Sequence, residues 1–437
     1  MSNSDSSNPN KLGFLSIYLL GINSIIGSGI FLLPGNIYNE VGVSSLFVIV
    51  LASILVLFLA LCYAEASSKF SENGSAWLYS KAAFGDYFGF QVGYFSWILG
   101  VITWATEVAG FLTALTGFIP SLKNREIYNI YAISICIVLS IINYFGVKFS
   151  KFFNNISSVA KIISFIFFIA FGVFFMKKMN FNPIVPVSID TSSLYLKKFG
   201  KSLGVIFYAY AGFSFLPIAA KNMKNPKKNI PKALIAVVLS CSVIYFLVTS
   251  ICIGVLGNNL ANATLPTADV FKSIFGQMGY NVILASMLIA IGGIAIAISF
   301  DTPIIASSLS TAGLLPKAFG KKSKFNTPSV SIVFTGIFCI LLLLSGDFIF
   351  LASLAVVASF IQNIPTALCI FKLRNDPKYP NSFTIPFGPL IPGISVILSF
   401  YLLSQMSIKI IALAGVGLII GTIFYFICNH TKRKQEK

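Results

Sequence analysis

Histidine is almost missing: His430, near the C-terminus, is the sole one among 437 residues. That excludes a Ser–His nucleophile or a His-based metal site within the body of the chain. Charge is scarce as well. Asp, Glu, Lys and Arg make up 10% of the residues, against about 25% in a soluble chain. The seven cysteines (Cys62, Cys136, Cys241, Cys252, Cys339, Cys369, Cys428) lie in or at the edge of apolar runs and form no CxxC. They read as small apolar fillers, which leaves no basis for a disulfide framework or a metal centre. No repeated filter and no ring of charges marks a channel, and nothing calls for a cofactor. An intramembrane hydrolase fails for want of a base.

What is present is hydrophobic: 56% of residues are apolar and the mean hydropathy is +0.87. This composition specifies an all-α polytopic membrane protein, in which about twelve apolar runs can be drawn. The first ten residues are polar and the first run is full length with no small-residue cleavage pattern, so a signal peptide is not expected. The net charge of +18 could suggest nucleic acid, but its placement argues otherwise. If the runs cross alternately, most of the 31 Lys and Arg fall on the side that holds both termini. That bias puts both termini in the cytoplasm of a multi-pass protein of the cell membrane. The charge then serves topology and contact with membrane lipid.

The first run, from Phe14 to Leu33, holds Asn23, Ser24, Gly27, Ser28 and Gly29 at its centre. Glycine costs about 1 kcal/mol relative to alanine within a helix, so the stretch from Ile26 to Ile30 invites the helix to open. Opened backbone is tolerated at membrane depth only where protein or a water-filled cavity meets it. A ligand with a carboxylate and an ammonium would satisfy both the freed N–H groups and the freed carbonyls. The competing reading is a small-residue face for helix packing. The sixth run, beginning near Lys201, repeats the pattern at Tyr208-Ala209-Tyr210-Ala211-Gly212. If runs one to five and six to ten are repeats, the two interruptions correspond. Five is odd, so the second repeat is inverted, and paired interrupted spans in inverted repeats point to a transporter's binding site.

Several stretches resemble the amino acid–polyamine–organocation permeases. Gly27-Ser28-Gly29-Ile30-Phe31 is similar to the family's GxGIF, and Lys224-Asn225-Pro226 through Ile230-Pro231-Lys232-Ala233 to its KNPxxxIPxA. Tyr63-Ala64-Glu65 with Phe70 and Gly74, Asn143 to Lys148, Gly313-Leu314-Leu315-Pro316, and the loop from Leu373-Arg374 to Gly388 extend the likeness over nearly the whole chain. The resemblance implies a five-plus-five inverted-repeat (LeuT-like) fold with helices one and six unwound at mid-membrane. Its repeats would cover about 13–176 and 201–371, within one domain at 13–428 that ends in two extra helices at about 387–428. Short tails at 1–12 and 429–437 flank it.

The resemblance also implies a substrate bearing α-amino and α-carboxyl groups. Ser28, Gly29 and Ile30 would meet the carboxylate; Tyr208, Ala209 and Ala211 would fall in the unwound part of helix six; Phe207 or Tyr208 would gate the site. The family's acidic residue two positions after the helix-six glycine is here Ser214. The acidic residue before KNP is replaced by Lys221 and Asn222, and Asp301 stands in a helix eight that lacks the frequent arginine.

Three charged residues lie deep in apolar runs. Lys161 is about 12 Å into run five by helical rise, where the resemblance implies an ammonium that replaces a sodium ion and answers to protons. Glu107, in run three, needs a partner, since a mid-membrane charge costs at least about 2.5–3.5 kcal/mol. It could line a pocket and favour cationic substrates, neutralise Lys161, or stay protonated as a structural group. Asp301 is the other candidate partner for Lys161. Trp104 is a candidate pocket wall or simple packing. The expected function is secondary active transport of amino acids by alternating access, coupled to protons and leaning towards cationic substrates. An exchanger or a transporter-derived nutrient sensor is the alternative.

Overall fold

Apolar runs this poor in charge satisfy their backbone in lipid only by closing into helices or barrels. In this computed structural model, which describes residues 11–435 apart from 73, 147, 187, 188, 190 and 381, all regular structure is helical. The tail through Asn10 and the side chains of 148–158, 219 and 429–435, including those of Lys148 and His430, lie outside that description. One isolated bridge pairs Leu12 with Met223.

The helices are α1 (Phe14–Ile25), α2 (Ser28–Val41), α3 (Ser45–Ser67), α4 (Ala76–Phe84), α5 (Asp86–Leu115), α6 (Arg125–Phe145) and α7 (Lys148–Gly172). They continue with α8 (Ser192–Phe207), a 3-10 segment (Tyr208–Asn222), α9 (Pro226–Leu256), α10 (Pro266–Thr311), α11 (Ser329–Ser345), α12 (Phe348–Leu373), α13 (Leu390–Ser404) and α14 (Ile408–Gln435). Among the described residues, eight helical stretches are long and apolar enough to cross a membrane. Four shorter apolar helices accompany them: Phe14–Ile25, Val159–Phe175, Ser329–Ser345 and Leu390–Ser404.

Three boundaries differ from those read in the sequence. The first run was expected to stop at Pro34-Gly35, but α2 carries Pro34 inside and continues to Val41. The outer loop before the sixth run was expected to reach Gly200, but α8 starts at Ser192, where the Thr191 hydroxyl accepts from Leu194 N at 3.3 Å. The eighth hydrophobic run begins only near Val282, but helix begins at Pro266 and bends at Gly276, whose φ of 66° is open to glycine. In the last two cases polar residues hid helix from a reading that followed hydrophobicity.

The site is positioned by α5, which packs on both α10 and α12, and by α1, which lies on α9 and on the 3-10 segment. The Lys224-Asn225-Pro226 motif is a hinge between the 3-10 segment and α9. Asn225 takes a left-handed conformation (φ 45°, ψ 56°) that asparagine tolerates, and Pro226 opens α9. The backbone on either side ties down the entry to α1: Leu12 N donates to Asn222 O at 2.9 Å and Lys224 N to Leu12 O at 2.8 Å.

A second clasp joins motifs 309 residues apart. Fully buried Glu65 accepts from Arg374 Nε at 2.8 Å and Nη2 at 2.5 Å, and from Ile385 N at 2.8 Å. Lys69, just past the end of α3, donates to Leu373 O at 2.8 Å and Tyr379 O at 3.1 Å. Desolvation there holds its ammonium below the ordinary lysine pKa.

Candidate functional site

The backbone opens at Ile26 and Gly27, both in extended conformations between α1 and α2. Opposite, α8 gives way at Tyr208 to fifteen residues of 3-10 helix, far longer than the usual three or four. Such openings leave N–H and C=O groups without helical partners. Tyr245 on α9 serves both breaks at once: its hydroxyl lies 2.8 Å from Ala209 O and 3.2 Å from Ile25 O. Ser75 Oγ donates to Ser214 O at 2.9 Å further along the 3-10 segment.

The glycines are explained by approach. A methyl on Gly29 would lie 2.8 Å from Ala209 Cβ and 2.9 Å from its Cα, and one on Gly212 would run into the Ser24 carbonyl. A methyl on Gly27 would lie 2.5 Å from Glu107 Oε1. The two sequence readings, an opened helix and a small-residue packing face, are therefore one arrangement: the broken segments touch because side chains are absent.

Glu107 is 3% exposed and sits on the start of α2. Its carboxylate accepts from Ser28 N at 3.1 Å and from Tyr208 Oη at 2.8 Å, so it bridges the two breaks. An acid at a helix N-terminus is electrostatically favoured. Both oxygens are thus engaged by protein, which the expectation of a lining carboxylate had not foreseen.

Lys161 is 1% exposed, and its ammonium donates to Asn23 Oδ1 at 2.6 Å and Asn23 O at 3.3 Å, one turn before the break. The ion pair expected with Glu107 or Asp301 is not formed among the described residues: Asn23, a neutral amide, takes the ammonium. Asp301 stands apart on α10.

A cavity of about 440 Å³ runs from the breaks towards the face that carries Leu12 and Asn222. Gly27, Gly29, Glu107, Tyr208, Ala209, Ala211, Gly212 and Asp301 line it. Ile26, Ser28, Ile30, Phe207 and Trp104 are buried and form no part of its wall. Phe207 instead stacks on Phe360 at 4.8 Å, and Tyr208 meets Phe348 edge-on at 6.0 Å. Trp104 Nε1 is buried and has no hydrogen-bond partner among the described residues.

Sequence reasoning named Asn23 and Ser24 only as breakers, although an amide in an apolar run is a visible signal for a buried partner. Tyr245 was missed, and nothing in its local sequence marks it.

A cavity closed at one end by two broken helices, in a helical protein of apolar spans, defines a multi-pass membrane permease. The chain belongs to the amino acid permease family, whose description matches residues 12–428. It is 27% identical to the branched-chain amino acid permease BcaP of Bacillus subtilis, over 97% of this chain and 94% of that one. It is also 27% identical to the methylthioribose transporter of the same organism, over 95% and 92% of the two chains. With the serine/threonine exchanger SteT of Bacillus subtilis it shares 24% over 96% of each.

Proposed function

We propose that this protein is a secondary active transporter that carries amino acids across the cytoplasmic membrane by alternating access. The observation that carries the reading is the cavity ending at Gly27, Gly29 and Tyr208, where backbone of two broken helices meets space of small-ligand size, a class spanning about 300–1,000 Å³. In this reading the chain makes twelve spans in a five-plus-five inverted repeat followed by two helices. Both termini are cytoplasmic, so the cavity opens inward. The amino acid lies against α2 and the 3-10 segment, its carboxylate towards the N–H groups from Ser28 to Ile30 and its ammonium towards freed carbonyls.

Glu107 competes for the same helix start, so the substrate carboxylate and the Glu107 carboxylate cannot both be ionised there without cost. Lys161 couples transport to protons through its hold on Asn23. Losing the proton removes the charge that ties α7 to the end of α1 and frees α1 to move. The engagement of Glu107 removes it as a receptor for a cationic side chain. The relatives named for branched-chain amino acids and for serine and threonine favour neutral substrates at the break itself.

The test is uptake of a panel of radiolabelled amino acids by proteoliposomes, with and without a pH gradient. Concentration of one or more α-amino acids only under the gradient supports symport. Uptake that requires internal amino acid assigns exchange, as in the relative so named. No uptake and no exchange of any amino acid overturns the reading.

A further inference from the structure

Asp301 takes no part in the arrangement just described. It is on α10, its side chain is exposed to the cavity, and among the described residues it makes no hydrogen bond or ion pair. Its neighbour Thr302 fixes its level. A methyl at Gly100 on α5 would lie 2.8 Å from Thr302 Oγ1, so the two helices touch there. Glu107 is seven residues further along α5, which is about 10 Å by helical rise. Asp301 therefore stands about 10 Å from the breaks on the way to the mouth lined by Asn222 and Ser308.

The charge balance around it is one-sided. Among the described residues, Glu107 and Asp301 are the charged residues of the cavity wall and no Lys or Arg lines it, although the chain carries +18 overall. A bare carboxylate in a low-dielectric enclosure is costly unless paired. The same wall also carries the neutral hydroxyls of Ser96, Thr302 and Ser308 and the apolar side chains of Ala297, Ile298 and Ile305.

We propose that Asp301 is an ammonium-receiving subsite on the path between the broken helices and the cavity mouth. It takes the substrate's ammonium group by a charge-assisted hydrogen bond after that group leaves the freed carbonyls. The inference rests on the transport reading for the word substrate, but the binding chemistry is tested without transport. The ammonium can come from two sources, the α-ammonium common to all amino acids or the side-chain ammonium of a cationic one.

The experiment uses the purified full chain in detergent. Stabilisation against heat is measured with ethylammonium, cadaverine and sodium ion, none of which carries a carboxylate. The proteins are wild type, Asp301→Asn, Asp301→Ser and Asp301→Glu. Wild type and Asp301→Glu are expected to be stabilised by both amines, and the midpoint concentration should rise at least tenfold in Asp301→Asn or Asp301→Ser. Two neutral variants are used so that a failure of one to fold does not end the test. Amine responses equal in all four proteins, or a sodium response with the same dependence on Asp301, overturn the proposal.

In proteoliposomes, equal loss of leucine and lysine uptake in Asp301→Asn assigns the α-ammonium. A larger loss for lysine assigns the side chain. If wild type transports neither yet the amines still bind through Asp301, the transport reading fails and the ammonium subsite stands.

Discussion

Glu107 is the residue whose chemistry the fold changes most. Read in the sequence, it is a mid-membrane acid that could receive a cationic side chain. In the structure its oxygens are held by Ser28 N and Tyr208 Oη, so it acts as a cap that links two broken helices. Glu107→Gln keeps the shape and loses charge-assisted bonds, each worth about 1.5–3 kcal/mol. Affinity for neutral and cationic amino acids is therefore expected to change by the same factor, measured by competition against one labelled substrate. A loss confined to cationic substrates would restore Glu107 as a side-chain receptor.

Lys161 makes the opposite case: its depth was legible from its place in an apolar run, but its partner was not, because Asn23 is 138 residues away and neutral. Lys161→Met is expected to abolish accumulation against a gradient and to flatten the dependence of uptake on pH. Lys161→Arg, which keeps a fixed charge, should retain binding yet also lose the pH dependence. A methionine variant that concentrates substrate with the wild-type pH profile would make the lysine structural.

At the scale of elements, both breaks were readable because glycine and polar residues interrupt otherwise continuous hydrophobic runs at Ile26–Gly29 and at Tyr208–Gly212. What holds the breaks together was not readable. Tyr245, Glu107 and Ser75 reach them from three other elements, and sequence carries no record of which helices become neighbours. Element ends were readable only where hydrophobicity changes. Hence the start of α8, from Ser192 to Gly200, and the first part of α10 lie outside the hydrophobic runs.

The family motifs mark joints more than chemistry. Glu65 of the second-helix motif meets Arg374 of the last loop, 309 residues later. Removing one partner of a buried ion pair leaves the other uncompensated, at a cost of about 3–5 kcal/mol. Glu65→Gln keeps an acceptor for Ile385 N and should fall towards the lower end, about 3 kcal/mol. The expected outcome is a clear drop in the melting temperature of the purified protein. Substrate affinity of the folded fraction should be unchanged, since Glu65 lies outside the cavity wall. An unchanged melting temperature would show that the clasp contributes nothing net.

At the scale of the whole molecule, transport requires that the cavity end where the broken helices touch, and that this contact be close enough to transmit movement. Gly29 is one of the points where that contact is tight, because a single added methyl would lie 2.8 Å from Ala209 Cβ and 2.9 Å from its Cα. The most direct measurement is uptake of radiolabelled amino acids by proteoliposomes containing wild type or Gly29→Ala, with insertion and melting temperature checked for both. Wild type is expected to take up one or more α-amino acids in a saturable way, and the alanine variant to insert normally while losing at least tenfold in affinity or rate. Wild-type protein that takes up no amino acid, or a Gly29→Ala protein with undiminished affinity and rate, would contradict the account.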